Sequence, residues 1–543
     1  MLRLVMWRIK PFWGVLSVFI LLSPYFVALG AFEYLPGMDE SWQLEAAMNL
    51  FLGRGYVASW TLPQDIFALQ YSYLNAWPPA YSALVTLLLI LGFNLSSAAV
   101  ILKLTAIAFA CYGWFLVVRS LNPDKRVVAA AMPAIAVFAV LCSGSASDLW
   151  VLAISSYIFL LVTRILAVEP ACVVPYKWFM AVGFLCGFAM AMKYTAIPMV
   201  AFAGIALTYQ WYKSRWMWGQ AIAFAVPVLV LGGGVLFANY WFASSVSTIT
   251  EMSVAGHFVF FKWSWFLGSL QAFFVDALYL PRVFFRAAAG HTSFVSETTF
   301  RILSSFFAMG ASFAFLIKMQ HAAQRQKMFV ALTLVAIMLT FAFLWLTTVL
   351  YFSESKWYPL SEGRYYQWII PGFLICLLLS VEPSWNSSRF IHKYFSAVMV
   401  WWLYYLAALC VVAFFSSHVY KTGKMTQNDA KEAYQVLLQL RGDANLLIIA
   451  DEESFRASPL RGQYNVYPDR PAVLIGKRVS HATQIGLICT RSGSWSLHAQ
   501  KNECETAGFE EFAASRSFQQ ASIGRRTNIY WKLYAAGSFV ETQ

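Results

Sequence analysis

Long apolar runs punctuate the chain at 12–32, 79–93, 98–118, 127–142, 149–168, 178–192, 195–211, 217–240, 302–317, 328–352, 368–381 and 394–416. Several approach the roughly 20 residues that carry a helix across a bilayer. They are continuous rather than alternating, so they predict helices and not the strands of a membrane β-barrel. Past residue 416 the pattern changes. QNDAKEAYQVLLQL (427–440) reads as an amphipathic helix, and NLLIIAD (445–451), AVLIG (472–476) and QIGLICT (484–490) read as buried strands. The pattern therefore predicts a polytopic α-helical membrane domain over 1–416 and a soluble α/β domain over 417–543.

The polar stretches between runs set the orientation. Arg119/Lys125/Arg126, Lys177, Lys213/Arg215, Lys318/Arg325/Lys327 and Arg389/Lys393 form basic loops, which belong in the cytoplasm. The N-terminus MLRLVMWRIK is basic too, and the run after it is longer than a signal peptide's apolar core. It reads as an uncleaved first helix that delivers Asp39 to the outside. An odd number of crossings must then separate Asp39 from Arg119, yet two runs intervene. The run 79–93 is short and opens at Pro78-Pro79, so it is read as interfacial or re-entrant, with 98–118 crossing. The alternative places the basic loop outside, against the rule. The result is about eleven crossings, external loops at 33–78, 241–301 and 353–367, and an external C-terminal domain.

Composition agrees. Hydrophobic residues make up 60% of the 543 and charged residues 12%, against about 25% charged in soluble domains. The formal charge of +13 comes from the cytoplasmic loops. No zinc-finger spacing or aromatic-interleaved basic helix accompanies it, so nucleic acid is not the expected partner. Six cysteines, at 111, 142, 172, 186, 376 and 410, lie in or beside apolar runs and read as inert core residues. Cys489 and Cys504 lie in the tail, where an oxidising compartment would allow a disulfide. No Walker loop, GxGxxG or transporter-like internal repeat is present.

Ionisable residues at a membrane face are functional candidates because burying them is costly. The external face collects Asp39, Glu40, Asp148, Lys193, His257, Lys262, Arg282, Arg286, His291, Glu362 and Arg364, among others. Asp39 and Glu40 suit either a helix cap or a base that removes a proton from an acceptor hydroxyl. Asp148 heads a helix and has the same two readings. Lys193, in AMAMKYTAIP, is either an interfacial snorkelling lysine or an anion-binding one. Arg364, in LSEGRYYQWIIPGF beside Tyr365, suits a phosphate because its planar fork donates paired hydrogen bonds. Its bland alternative is an ion pair with Glu362 or Glu354. His257 and His291 show no HxH or HExxH pattern. A divalent metal bridging residues distant in sequence stays open, with His257 a candidate for metal or acceptor contact.

Four stretches carry a family resemblance. MDESWQLEAAMNLFLGRGY, WPPAYSALVTLLLILGF, GFLCGFAMAMKYTAIPMV and GRYYQWIIPGF occur in this order. They resemble the first external loop, the Pro-Pro-aromatic segment, the Gly-rich helix ending in Lys and the late Arg-Tyr segment of GT-C fold membrane glycosyltransferases. The nearest branch holds protein O-mannosyltransferases and the aminoarabinose transferases that modify lipid A. The resemblance implies transfer of a sugar from a polyprenyl-phosphate donor to a glycan, lipid or protein hydroxyl at the external face, and a bacterial inner membrane. It implies Asp39, supported by Glu40, as the reacting carboxylate, Asp148 as a second acidic position, and Lys193 and Arg364 near the donor. Relatives of the aminoarabinose type carry Glu-Lys before Pro-Pro, where this chain has Ala76 and Trp77. Lys262, Arg282 or Arg286 are then the candidates for the missing phosphate charge. The competing expectations are a transporter or flippase of lipid-linked sugars and a non-catalytic assembly subunit.

Overall fold

The structure, a computed structural model, describes residues 38–58, 72–121, 135, 138, 139, 142, 146–168, 174–213, 218–246, 259–276, 323–352, 358–385 and five tail strands between 446 and 536. These residues fall into two compact units. One is built from 75–80 and 102–385, the other from 38–74, 81–101 and the tail strands.

In the first unit, the helices follow the apolar runs, except Trp263–Gln271, which lies within the expected loop 241–301. They are α3 (Leu95–Leu121, which begins in the other unit), α4 (Ala146–Leu166), α5 (Tyr176–Met192), α6 (Ile197–Lys213), α7 (Trp218–Ala243), α8 (Trp263–Gln271), α9 (Gln324–Tyr351) and α10 (Ile370–Trp385). Among the described residues, α3, α4, α7 and α9 are long and apolar enough to cross a membrane. The expected spans at 12–32, 302–317 and 394–416, and most of 127–142, lie outside the described residues.

Lipid gives helices no hydrophobic reason to associate, so close packing of small residues must do it. The sequence GFLCG supplies a GxxxG pair on α5. A Cβ on Gly183 would stand 2.2 Å from the backbone oxygen of Phe224, and one on Gly187 would stand 2.7 Å from that of Pro227. The α5 backbone therefore lies directly against α7. Pro227 cannot complete the helical hydrogen-bond ladder, and a π turn follows it over Leu229–Gly233. Gly113 of α3 makes room for the Ser156 side chain of α4.

The centre of this unit is aromatic. The Phe159 ring lies 4.8 Å from Phe202, 5.5 Å from Trp114, 5.8 Å from Phe329 and 6.2 Å from Trp368. Each ring comes from a different segment, so Phe159 ties α3, α4, α6, α9 and the turn before α10 together. Such pairs contribute about 0.5–1.5 kcal/mol each beyond area burial. Ser155 Oγ, one turn before Phe159 on α4, donates to the Trp368 carbonyl at 3.1 Å.

In the second unit, α1 (Met38–Phe51) and α2 (Ala80–Ile90, whose first residue belongs to the other unit) are stitched side by side. Ser82 Oγ donates to the Gln43 carbonyl at 2.7 Å, and Thr86 Oγ1 to that of Ala47 at 2.9 Å. At 1.5 Å per residue, α2 is roughly 16 Å long, about half the hydrocarbon thickness. A two-stranded ribbon, β1 (Val57–Ala58) with β2 (Ser72–Tyr73), follows α1.

The tail forms a five-stranded mixed sheet ordered β4-β3-β5-β7-β6, from β3 (Leu446–Ala450), β4 (Val466–Tyr467), β5 (Gln484–Thr490), β6 (Phe518–Arg525) and β7 (Ile529–Ala536). Strand β3 runs parallel to β4 and β5, while β7 is antiparallel to β5 and β6. Two expected strands, 445–451 and 484–490, correspond to β3 and β5. The expected helix 427–440 and strand 472–476 lie outside the described residues.

Candidate functional site

Chain geometry first places Lys193. Helix α5 closes with the Lys193 N–H on the Ala189 carbonyl at 2.9 Å. Lys193 itself is extended (φ −161°, ψ 136°), and the chain restarts through a 3-10 turn at Tyr194–Ala196. Pro198 fits the first turn of α6, where its missing N–H costs nothing. The break turns the lysine inward: it is 6% exposed. Its Nζ lies 2.6 Å from Asp148 Oδ1 in the first turn of α4.

The snorkelling reading of Lys193 is thereby overturned, since the ammonium ends in protein. The cap reading of Asp148 also changes, because the carboxylate lies inside the helical turn and faces a cation. Antiparallel α4 and α5 explain the pairing: a carboxylate is favoured at a helix N-terminus and an ammonium at a C-terminus. Asp148 Oδ2 has no hydrogen-bond partner among the described residues.

Beside this pair stands the turn Gly363–Tyr366. The Tyr365 ring has Lys193 Nζ 6.0 Å from its centroid and the Arg364 guanidinium 5.1 Å from it. One ring thus bridges two cations. Arg364 Nη2 lies 3.4 Å from Tyr365 Oη, and its Nε is 3.8 Å from Glu362 Oε2. The expected pair with Glu362 exists but is long and half-exposed, the kind that contributes little. Glu354 lies outside the described residues. Tyr366 fixes the turn: its hydroxyl donates to the Leu360 carbonyl at 3.1 Å, and burial pushes its phenol well up.

A neutral chain of hydrogen bonds adjoins Lys193. Asn239, fully buried near the end of α7, donates through Nδ2 to Tyr194 Oη and to the Val246 carbonyl at 2.7 Å. Tyr194 Oη in turn donates to the Asn75 carbonyl at 3.2 Å. Sequence reading missed Asn239 and Tyr194. An amide near the end of an otherwise apolar run was the available signal.

Asp39 and Glu40 belong to the other unit. Both lie in the first turn of α1, which starts at Met38, so neither precedes the helix as a cap would. Successive helical residues diverge by about 100°, and the two acids part accordingly. Asp39 is half-buried, while Glu40 is 1% exposed and accepts the Tyr81 hydroxyl at 2.8 Å. Burial, then the Glu40 charge and hydrogen bond, push the Tyr81 phenol well up. Glu40 thus fastens α1 to α2 and leaves Asp39 the more accessible carboxylate.

Lys262 precedes α8, with its Nζ 5.2 Å from the Trp265 ring. Arg282, Arg286, His257 and His291 lie outside the described residues, as do Cys504 and the Cys489 side chain. Cys111, Cys142, Cys186 and Cys376 are buried free thiols, as expected of core residues. Among the described residues, no group of three or more His, Cys, Asp or Glu could hold a metal ion. The structure adds one cation that sequence reading passed over: Lys103, inside α3 and only 3% exposed.

No protein-family model matches this sequence, and no curated protein matches it either. Solved structures do. ArnT from Cupriavidus metallidurans in the apo state is 13% identical with a TM-score of 0.55, over 96% of this chain and 98% of ArnT. The same protein bound to undecaprenyl phosphate gives 12% identity and 0.55 over the same shares. The archaeal oligosaccharyltransferase AglB from Archaeoglobus fulgidus, in complex with an inhibitory peptide and a dolichol-phosphate, gives 10% and 0.51 over 97% of this chain and 74% of AglB. The chain shares its fold with these structures. It is a polytopic, mostly α-helical membrane protein.

Proposed function

We propose that this protein is a glycosyltransferase that moves a sugar from a polyprenyl-phosphate donor to a hydroxyl of a surface glycan, lipid or protein. The observation that carries the reading is the cluster Asp148–Lys193–Tyr365–Arg364 at helix ends, in a fold matching ArnT bound to undecaprenyl phosphate across nearly the whole chain. The departing polyprenyl phosphate is a phosphate monoester that gains negative charge as its bond to the sugar breaks, and it needs positive charge beside it. Arg364 suits first contact, because its planar guanidinium donates paired hydrogen bonds to phosphate oxygens. Asp148 holds Lys193 in place beside it. Tyr365 keeps the two cations in register, and Lys262 and Arg282 are further donor-site candidates.

In this account the acceptor oxygen attacks the anomeric carbon and gives its proton to Asp39. The carbon–oxygen bond to phosphate breaks, and the polyprenyl phosphate departs with that electron pair. One direct displacement inverts the anomeric configuration. Glu40 serves as the anchor of α1 through Tyr81. His257 remains a candidate for acceptor or metal contact. Residues 1–416 form the catalytic membrane domain of about eleven crossings. The N-terminus is cytoplasmic, and 417–543 form a periplasmic domain of a bacterial inner-membrane enzyme.

A second reading, transport of the lipid-linked sugar, draws on Lys103, since a cation buried within a span marks a substrate or ion path in transporters. Proteoliposomes with labelled polyprenyl-phosphate sugar and crude envelope acceptors separate the two. Transfer predicts label on an acceptor no longer extractable with the lipid. Label that changes leaflet but stays on the lipid overturns the proposal in favour of transport. Label that does neither overturns both.

A further inference from the structure

The segment 259–271 belongs to the long loop 241–301, expected outside the membrane. Its helix α8 is apolar on the wrong side for a water-facing element. Trp265 and Ser269, four residues apart, are buried, and the Tyr358 hydroxyl donates to the Ser264 carbonyl at 3.0 Å. A Cβ on Gly268 would stand 2.7 Å from that same hydroxyl, so this face is packed closely on the turn at 358–361. The opposite face carries Trp263, 72% exposed, with Phe266 and Leu267 at the i+3 and i+4 positions. Phe260 and Phe261 extend the exposed apolar surface just before the helix. A contiguous outward apolar face of this kind marks an interaction surface.

One hydrogen bond ties this segment to a membrane-length helix. Trp345 Nε1, on the membrane-length helix α9, donates to the Phe260 carbonyl at 2.9 Å. Trp345 lies six residues before the end of α9 at Tyr351, or roughly 9 Å along the axis. The segment thus sits near the end of a membrane-length helix, where interfacial helices sink their apolar face by roughly 5–10 Å. At the end of α7, Tyr240 and Trp241 are also exposed, as expected of an aromatic belt at a membrane surface. Between Phe261 and Trp263 stands Lys262, whose charge suits the phosphate of an anionic headgroup.

We infer that 259–267 is a lipid-embedded anchor: Phe260, Phe261, Trp263, Phe266 and Leu267 enter the outer leaflet, and Lys262 engages a headgroup phosphate. Such an anchor would hold the 358–366 turn, and so Arg364, at headgroup level. The inference does not depend on the proposed transfer reaction.

Spin labels at Phe260→Cys, Trp263→Cys and Phe266→Cys, in full-length protein in nanodiscs, test it, with Trp241→Cys as the reference at a span end. The expected result is an oxygen-to-nickel-chelate accessibility ratio close to that at 241 and several-fold above that of a water-exposed label. Mobility at 263 should fall further in anionic than in neutral lipid, and Lys262→Gln should abolish that difference. Three positions keep the test valid if one variant fails to fold. Water-like ratios at every folded position overturn the anchor. So does immobilisation of the labels by added soluble glycan, which would make the aromatic face a saccharide platform.

Discussion

Lys193 Nζ lies 2.6 Å from Asp148 Oδ1, joining the end of α5 to the first turn of α4 in a setting where both are almost fully buried. Removing one partner strands the other's charge. Asp148→Asn should therefore cost about 3–5 kcal/mol, read as a lowered thermal midpoint in detergent. Asp148→Asn with Lys193→Met should recover most of the stability but no transfer activity. Equal stability of the single variant and the parent would mean that the pair is not closed in solution.

Arg364 makes a different kind of contact, stacking on Tyr365 while only loosely paired to Glu362. Arg364→Lys keeps the charge and loses the planar fork. Donor kcat/KM should fall on the order of tenfold, corresponding to about 1.4 kcal/mol of a charge-assisted contact. Glu362→Gln should leave stability within about 1 kcal/mol, because its pair with Arg364 is long and half-exposed. Donor kinetics with labelled polyprenyl-phosphate sugar, together with thermal melts, check both.

The close approach of α5 to α7 gives a packing prediction. Gly183→Ala forces a methyl to within 2.2 Å of a backbone oxygen, which should cost about 1–3 kcal/mol. Gly204→Ala on α6 meets nothing nearer than 3.9 Å and should be neutral or stabilising by up to about 1 kcal/mol. Thermal unfolding of the two variants side by side reads the difference.

Tyr81 ties stability to alkaline pH. Its phenol is held neutral in the fold by burial and by Glu40, whereas in the unfolded chain it ionises near about 10. The stabilisation is therefore complete below that pH and lost as pH climbs from there towards the raised folded value. Tyr81→Phe leaves Glu40 without this donor, at a cost of about 1–3 kcal/mol near neutrality. It should also flatten the alkaline loss, as seen by comparing the two proteins' unfolding midpoints across pH 8–11, a range set by that ionisation.

Local pattern made much of this legible. Apolar runs placed α3 to α7, α9 and α10 because span length and apolarity are written in consecutive residues, whereas α8 lies within the expected loop 241–301. The polar break in AMAMKYTAIP located Lys193, and continuous apolar strings located β3 and β5. FQQASIGR and IYWKLYAA lacked such strings, and β6 and β7 went unread. The partners stayed hidden for a different reason. That Lys193 meets Asp148, and Glu40 meets Tyr81, depends on which helices lie side by side, and no local window contains that. Lys103 escaped because one charge scarcely alters the apolar average of a long run.

The proposed reaction rests on Asp39, the more accessible of the two first-turn acids of α1. The most direct test is the transfer rate of Asp39→Asn, reconstituted with labelled polyprenyl-phosphate sugar and envelope acceptor, beside Glu40→Gln. We expect Asp39→Asn to keep the parent's thermal midpoint and donor affinity and to lose transfer by a factor of at least about 10², within the range for a lost general base. Glu40→Gln should lower stability more than it lowers the rate of the folded fraction. Transfer at the parental rate by a folded Asp39→Asn protein would contradict the account and leave Asp39 a structural residue of the first turn.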